Sequence, residues 1–160
     1  MKTIIPLFCC ILLLTVNIAC TKEGMPQPKP ATTIKLDLKS ANIIKSDNQF
    51  GFDIFRKVDS ESPETKNLMI SPLSISQALS MAYNGAASDT KIEFETVLKK
   101  SGFTTDEINQ TYSNLIKSLT THDPGVELSI ANSIWYRNTF NVLPEFINTN
   151  QNYYDAEVKA

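Results

Sequence analysis

The stretch NLMISPLSISQALSMAYNGAAS, residues 67–88, contains no charged side chain. It opens as a short apolar strand, Leu68-Met69-Ile70. It then turns at Ser71-Pro72 into a helix whose gaps are filled by Ser, Gln and Asn rather than Lys and Glu. Ser71 suits the N-cap, and Pro72 suits the first helical position, where its missing N–H is no loss. Asn84-Gly85 ends the helix, and the glycine predicts a left-handed C′ residue. A helix without charge on any side is expected to be buried on all sides.

Three helical segments flank it. Residues 46–58 predict a helix with Phe50, Ile54, Phe55 and Val58 on one face, stopped by the polar run Ser60-Glu61-Ser62-Pro63-Glu64. Thr90-Lys-Ile-Glu93 and Thr104-Thr-Asp-Glu107 both have the Thr-x-x-Glu spacing of a capping box, which predicts two helix starts. The first helix runs to about Lys100, with Phe94, Val97 and Leu98 inward; Lys99 and Lys100 then sit where positive charge suits the helix dipole. The second runs to about Leu119, with Ile108, Tyr112, Leu115, Ile116 and Leu119 inward.

After the turn Asp123-Pro124-Gly125 the period changes to two. Val126, Leu128, Ile130, Ile134 and Tyr136 face one way, which predicts a strand over 126–136. Asn132 falls on that apolar face and needs hydrogen-bond partners, because an unpaired buried amide costs on the order of 1–3 kcal/mol. Leu143-Pro144-Glu145 opens another helix, with Phe146, Ile147, Asn150, Tyr153 and Tyr154 on one side, and Ala156 starts a strand. The expected class is α+β.

The first twenty residues read as an export leader. Lys2 gives a positive start, Ile4 to Leu14 is a short apolar run, and Ala19 precedes Cys20. A Cys directly after a small residue resembles the lipobox of bacterial lipoproteins, although Asn17 stands where that family prefers Leu. The resemblance implies a signal peptide over 1–19, lipidation at Cys20, and anchoring to a bacterial cell envelope, at the outer membrane or cell surface. Pro26, Pro28 and Pro30 then make residues 20–33 an extended tether, and 34–160 remain for one domain.

The whole sequence has 15 basic and 17 acidic residues; with Lys2 set aside in the leader the balance is 14 against 17, a net charge of −3. Such mild acidity excludes nucleic acid as a partner. Cys9, Cys10 and Cys20 all lie in or at the end of the leader, so the domain has no disulfide, no thiolate nucleophile and no zinc cluster. No metal-ligand spacing, phosphate loop or Gly-x-Ser-x-Gly occurs, and no catalytic residue, metal or cofactor is expected. His122, the single histidine, sits in a turn and reads as solvated. Asn109-Gln-Thr111 fits a glycosylation sequon, a reading that a bacterial leader disfavours.

With these elements in place, Ser71, Pro72, Ser74 and Gly85-Ala86, followed by Thr90 and by Ala131-Asn132-Ser133-Ile134-Trp135, resemble the N-terminal portion of a serpin. The resemblance runs from about Asn48 to Ala160. It implies a large mixed or antiparallel sheet carrying helices, here incomplete. It also implies a suicide-substrate inhibitor of serine, or sometimes cysteine, proteases rather than an enzyme: the protease cleaves a reactive loop, which inserts into the central sheet and carries the acyl-enzyme with it. Carried over by position, Ser71, Ser74 and Asn132 are expected in the shutter, the polar cluster beneath the sheet that opens to admit the loop. The reactive loop is not in the chain, so the resemblance predicts either a fragment of a longer gene, or a non-inhibitory surface lipoprotein or binding module, or an inactive truncated remnant. Lys117 is the one basic residue on the helix that carries a polyanion-binding stripe in some serpins, so no heparin-like partner is expected.

Overall fold

The computed structural model describes residues 33–62 and 67–160. Cys20 and the Pro-rich tether lie outside the described residues. The elements are α1 (Leu38–Glu61), α2 (Pro72–Tyr83), α3 (Ser88–Val97), α4 (Thr105–Thr121), β1 (Asn132–Trp135), α5 (Pro144–Tyr154) and β2 (Ala156–Lys159).

Helix α1 starts at Leu38 rather than residue 46, because Asp37 caps it: the Asp37 carboxylate accepts from the Ser40 backbone N–H at 2.9 Å. Its buried face is Ser40, Ile43, Asp47, Phe50 and Gly51, so two polar residues share the inward stripe with the apolar ones. Phe55 stays 40% exposed, contrary to the apolar-face reading. At Gly51 a Cβ would stand 2.9 Å from the Pro72 side chain, so this glycine lets α1 lie against the start of α2.

Helix α2 begins as expected, with Ser71 as N-cap and Pro72 inside the first turn. It is not buried all round. Ser76, Gln77, Ser80, Met81 and Tyr83 are buried, whereas Ser74, Ala78 and Ala82 are exposed, because the described elements pack against one side only. Gly85 does not adopt a left-handed conformation; Gly102 is the glycine with positive φ among the described residues. Helix α3 begins at Ser88, capped by Ala87 without a side-chain bond, so Thr90 lies inside the helix and its capping box does not form. The box at Thr104 does form, with Thr104 and Glu107 satisfying each other's backbone N–H. Helix α3 stops at Val97, which is 58% exposed rather than inward.

The period-two reading holds in its facing only over 130–136: Ile130, Asn132, Ile134 and Tyr136 are half-buried and the residues between them are exposed, whereas Val126 and Leu128, expected on the same face, are exposed because no described element packs against them. Only Asn132–Trp135 is paired, since β2 offers four partners in parallel register from Asn132↔Ala156 to Trp135↔Lys159. Helix α5 makes the crossover that a parallel pair requires. It joins β2 through Asp155, whose φ of 50° reverses the chain in the left-handed region. Ile43, Met81, Tyr83, Ile108, Tyr112, Tyr154 and Ala156 form the core, where α1, α2, α4, α5 and β2 meet.

Candidate functional site: a buried polar seam along the uncharged helix

Met81 and Tyr83 on the inward face of α2 meet the apolar core, but Ser76 and Gln77 on that face meet charge and amides. At its centre Lys100, with its side chain 1% exposed, places Nζ 2.6 Å from Asp47 Oδ1 and 2.6 Å from the Tyr112 hydroxyl. Ser76 donates to the same Asp47 oxygen at 2.6 Å and lies 2.6 Å from Tyr112, whose hydroxyl also donates to Asp47 Oδ1 at 2.7 Å. One carboxylate oxygen thus receives three donors from α2, α4 and the turn after α3. Asp47 Oδ2 and Gln77 Nε2 have no partner.

Lys100 gets there by a backbone device. The chain leaves α3 through Lys99 in the left-handed region at φ 56°, a conformation costing about 1 kcal/mol for a side chain with a Cβ. Lys99 then pairs with Asp53 at 2.8 Å on the surface, while Lys100 turns inward. The dipole-complementing role expected of both lysines is replaced by one exposed and one buried ion pair. Burial pulls the Lys100 ammonium below its ordinary range, and the Asp47 charge opposes that shift. Burial pushes the Tyr112 phenol well up, with the Asp47 charge adding to it, and Tyr154 is also pushed up by burial.

The seam continues toward α5 as a relay of amides. Tyr154 donates to Asn109 Oδ1 at 2.8 Å, Asn109 to Asn84 Oδ1 at 3.0 Å, and Asn84 to Asn150 Oδ1 at 3.2 Å. Asn150 closes the relay on the Phe146 carbonyl at 3.0 Å. The sequon residue Asn109 is 3% exposed and committed to this relay.

The three shutter candidates fall into two places. Ser71 and Ser74 are exposed and hydrogen-bonded to each other at 2.8 Å, at the open end of α2. Asn132 is half-buried and donates to the Tyr154 carbonyl at 3.1 Å and to Gln77 Oε1 at 3.4 Å. Its amide therefore has the partners the strand position demanded. It belongs to the seam, as does Gln77, and no hydrogen bond links it to either serine. His122 is the C-cap of α4. Among the described residues no three His, Cys, Asp or Glu side chains are grouped to hold a metal ion. The seam ties α1, α2, α4 and the turn after α3 together through one ion pair and a set of hydrogen bonds, a clamp between helices.

Asp47, Ser76, Gln77 and Lys100 were not picked out from the sequence. A signal was present: Ser76, Gln77 and Ser80 recur at helical spacing on a helix with no charge, and a polar stripe inside a buried helix calls for polar partners.

Residues 45–160 match the family described as Serpin (serine protease inhibitor). Thyroxine-binding globulin of Ovis aries is 31% identical over 161 residues, covering 96% of this chain and 38% of its own. Intracellular coagulation inhibitor 2 of Tachypleus tridentatus is 29% identical over 140 residues, covering 86% of this chain and 32% of its own. The crystal structure of human glycosylated kallistatin superposes with a TM-score of 0.70 at 24% identity, over 77% of this chain and 33% of that one, a likeness of fold. The chain spans about a third of the length of the curated relatives it matches.

Proposed function

The chain belongs to the serpin family, and on that premise we propose that it provides the helical scaffold and two strands of a protease inhibitor that works by suicide-substrate loop insertion. The targets are serine proteases, with cysteine proteases as the second class. The observation that carries the reading is the family match over 45–160 combined with the α2–β1 arrangement, in which a polar face lies directly beneath a strand. Beside the apolar contacts of Ile134, Ala156 and Val158 with the core, this polar contact suits a sheet that has to part. In this reading Ser71 and Ser74 mark the exposed start of α2, outside the seam, and Asn132 links the seam to the strand above it. No residue of this chain is assigned to the reactive loop.

The relatives also include a protein named for binding thyroxine, so a non-inhibitory binding role is the rival outcome. The test uses the product of the gene that carries this chain, with any sequence that follows Ala160, against a panel of serine and cysteine proteases. Time-dependent, irreversible loss of activity supports inhibition. Unchanged activity with all of them refutes it. Anchoring to the cell envelope through a lipid on Cys20 is the second part of the proposal. It predicts that the wild type partitions into the detergent phase and that Cys20→Ala does not; equal partitioning of the two sinks it.

A further inference from the structure

The sequence contains one Asn-Gly pair, Asn84-Gly85, and it sits where the amide relay meets the end of α2. Asn-Gly is the dipeptide least able to resist deamidation, because a glycine places no side chain in the way of ring closure. Here both residues are held by the fold. The Asn84 amide accepts from Asn109 and donates to Asn150. At Gly85 a Cβ would stand 3.0 Å from the Phe146 ring of α5, so any other residue would push that ring aside by a few tenths of an ångström. Two independent structural demands meet at one labile pair.

We propose that Asn84 is a deamidation site that the fold guards, and that its reaction releases α5 and β2 from α2. In the reaction the Gly85 backbone nitrogen attacks Asn84 Cγ, the new C–N bond closes a succinimide, and ammonia leaves. Water then opens the ring to aspartate or isoaspartate, without any oxidant or cofactor. Three features oppose the attack. Asn84 is held at φ −61°, ψ −21°, a helical conformation from which the ring does not close. The Gly85 N–H is engaged with the Ala82 carbonyl at 3.0 Å. Both ends of the Asn84 amide are hydrogen-bonded. Asn84 is only half-buried and Gly85 is exposed, so water for the second step is at hand.

The product changes the relay in a defined way. A carboxylate at 84 still accepts from Asn109, but it has no donor for Asn150 Oδ1 and sets two acceptors face to face. Asn150 cannot simply turn over, since its nitrogen is committed to the Phe146 carbonyl. Helix α5 runs through Asp155 straight into β2, so loosening α5 loosens the strand pair.

The experiment ages the whole 160-residue chain in mildly alkaline buffer, with and without urea, and maps deamidation by peptide mass. In urea Asn84 is expected to react fastest of all asparagines. In the folded chain its rate is expected to fall at least about tenfold, the factor for an opening that costs about 1.4 kcal/mol. Amide hydrogen exchange on the aged folded chain is expected to speed up in α5 and β2 while α3 is unchanged; Asn84→Asp should reproduce this and Asn84→Gln should not age. Equal rates at Asn84 with and without urea overturn the guarding. Unchanged exchange in α5 and β2 after deamidation overturns the release. The wild-type rate ratio needs no variant, so it decides the first point even if Asn84→Asp does not fold.

Discussion

Removing either member of the Lys100–Asp47 pair should be far more damaging than removing both. At 2.6 Å the pair attracts with about 6 kcal/mol at an effective dielectric of 20. Desolvating two ions costs several kcal/mol each, which offsets that gain almost completely. A single deletion keeps one desolvation cost and loses the attraction. Lys100→Met strands a carboxylate with hydroxyl donors only; Asp47→Leu strands an ammonium with the Tyr112 hydroxyl. Each single change should destabilise by about 3–5 kcal/mol, while the double variant should lie within about 1 kcal/mol of wild type or above it. Urea unfolding followed by circular dichroism gives all four values. Asp47→Leu carries a further signature. Lys100 already has a folded pKa below its unfolded value, so the folded state prefers the neutral amine. Stability of that variant must therefore rise with pH toward about 10.5, the unfolded value. Single variants that each lose less than about 1 kcal/mol, or a double variant that loses the sum of both, would refute the reasoning.

The two Thr-x-x-Glu spacings predict opposite outcomes: Thr104→Ala should cost about 1 kcal/mol, and Thr90→Ala close to nothing, in the same urea assay. Gly85→Ala should cost about 1–3 kcal/mol through the Phe146 ring, and Phe146→Leu in the same chain should recover part of it. Tyr112 and Tyr154 hold their protons tighter folded than unfolded, so their contribution to stability is full below about pH 10 and is lost as pH rises further. Phenolate absorbance should accordingly show these two ionising only together with loss of structure; smooth ionisation of all five tyrosines in a folded chain would contradict this.

The order of the helices, the cap at Ser71, the box at Thr104 and the inward parity of 130–136 were legible, because each depends on local periodicity or local hydrogen bonding; the strand expected at Leu68-Met69-Ile70 does not form, and Val126 and Leu128 are exposed rather than inward. Asn132 was legible as a buried amide because it breaks an apolar face. The seam was not. Asp47 and Lys100 are 53 residues apart, and each looks like an ordinary surface charge in its own window. Lys100 turns inward only because Lys99 takes a left-handed conformation that no pattern announces. The Thr90 box failed for a related reason: the helix starts three residues earlier, with Ala87 as its N-cap, and leaves the threonine inside. Gly85 was read as a cap residue, while its actual constraint is a ring from α5, more than 60 residues away, visible only in three dimensions.

The most direct test of the proposed inhibition is a denaturing gel of the gene product after incubation with the protease it slows. Loop insertion predicts a one-to-one covalent adduct that survives boiling, together with a slightly smaller cleaved form. Inhibition with no such adduct, or cleavage that leaves the protease fully active, would contradict the account.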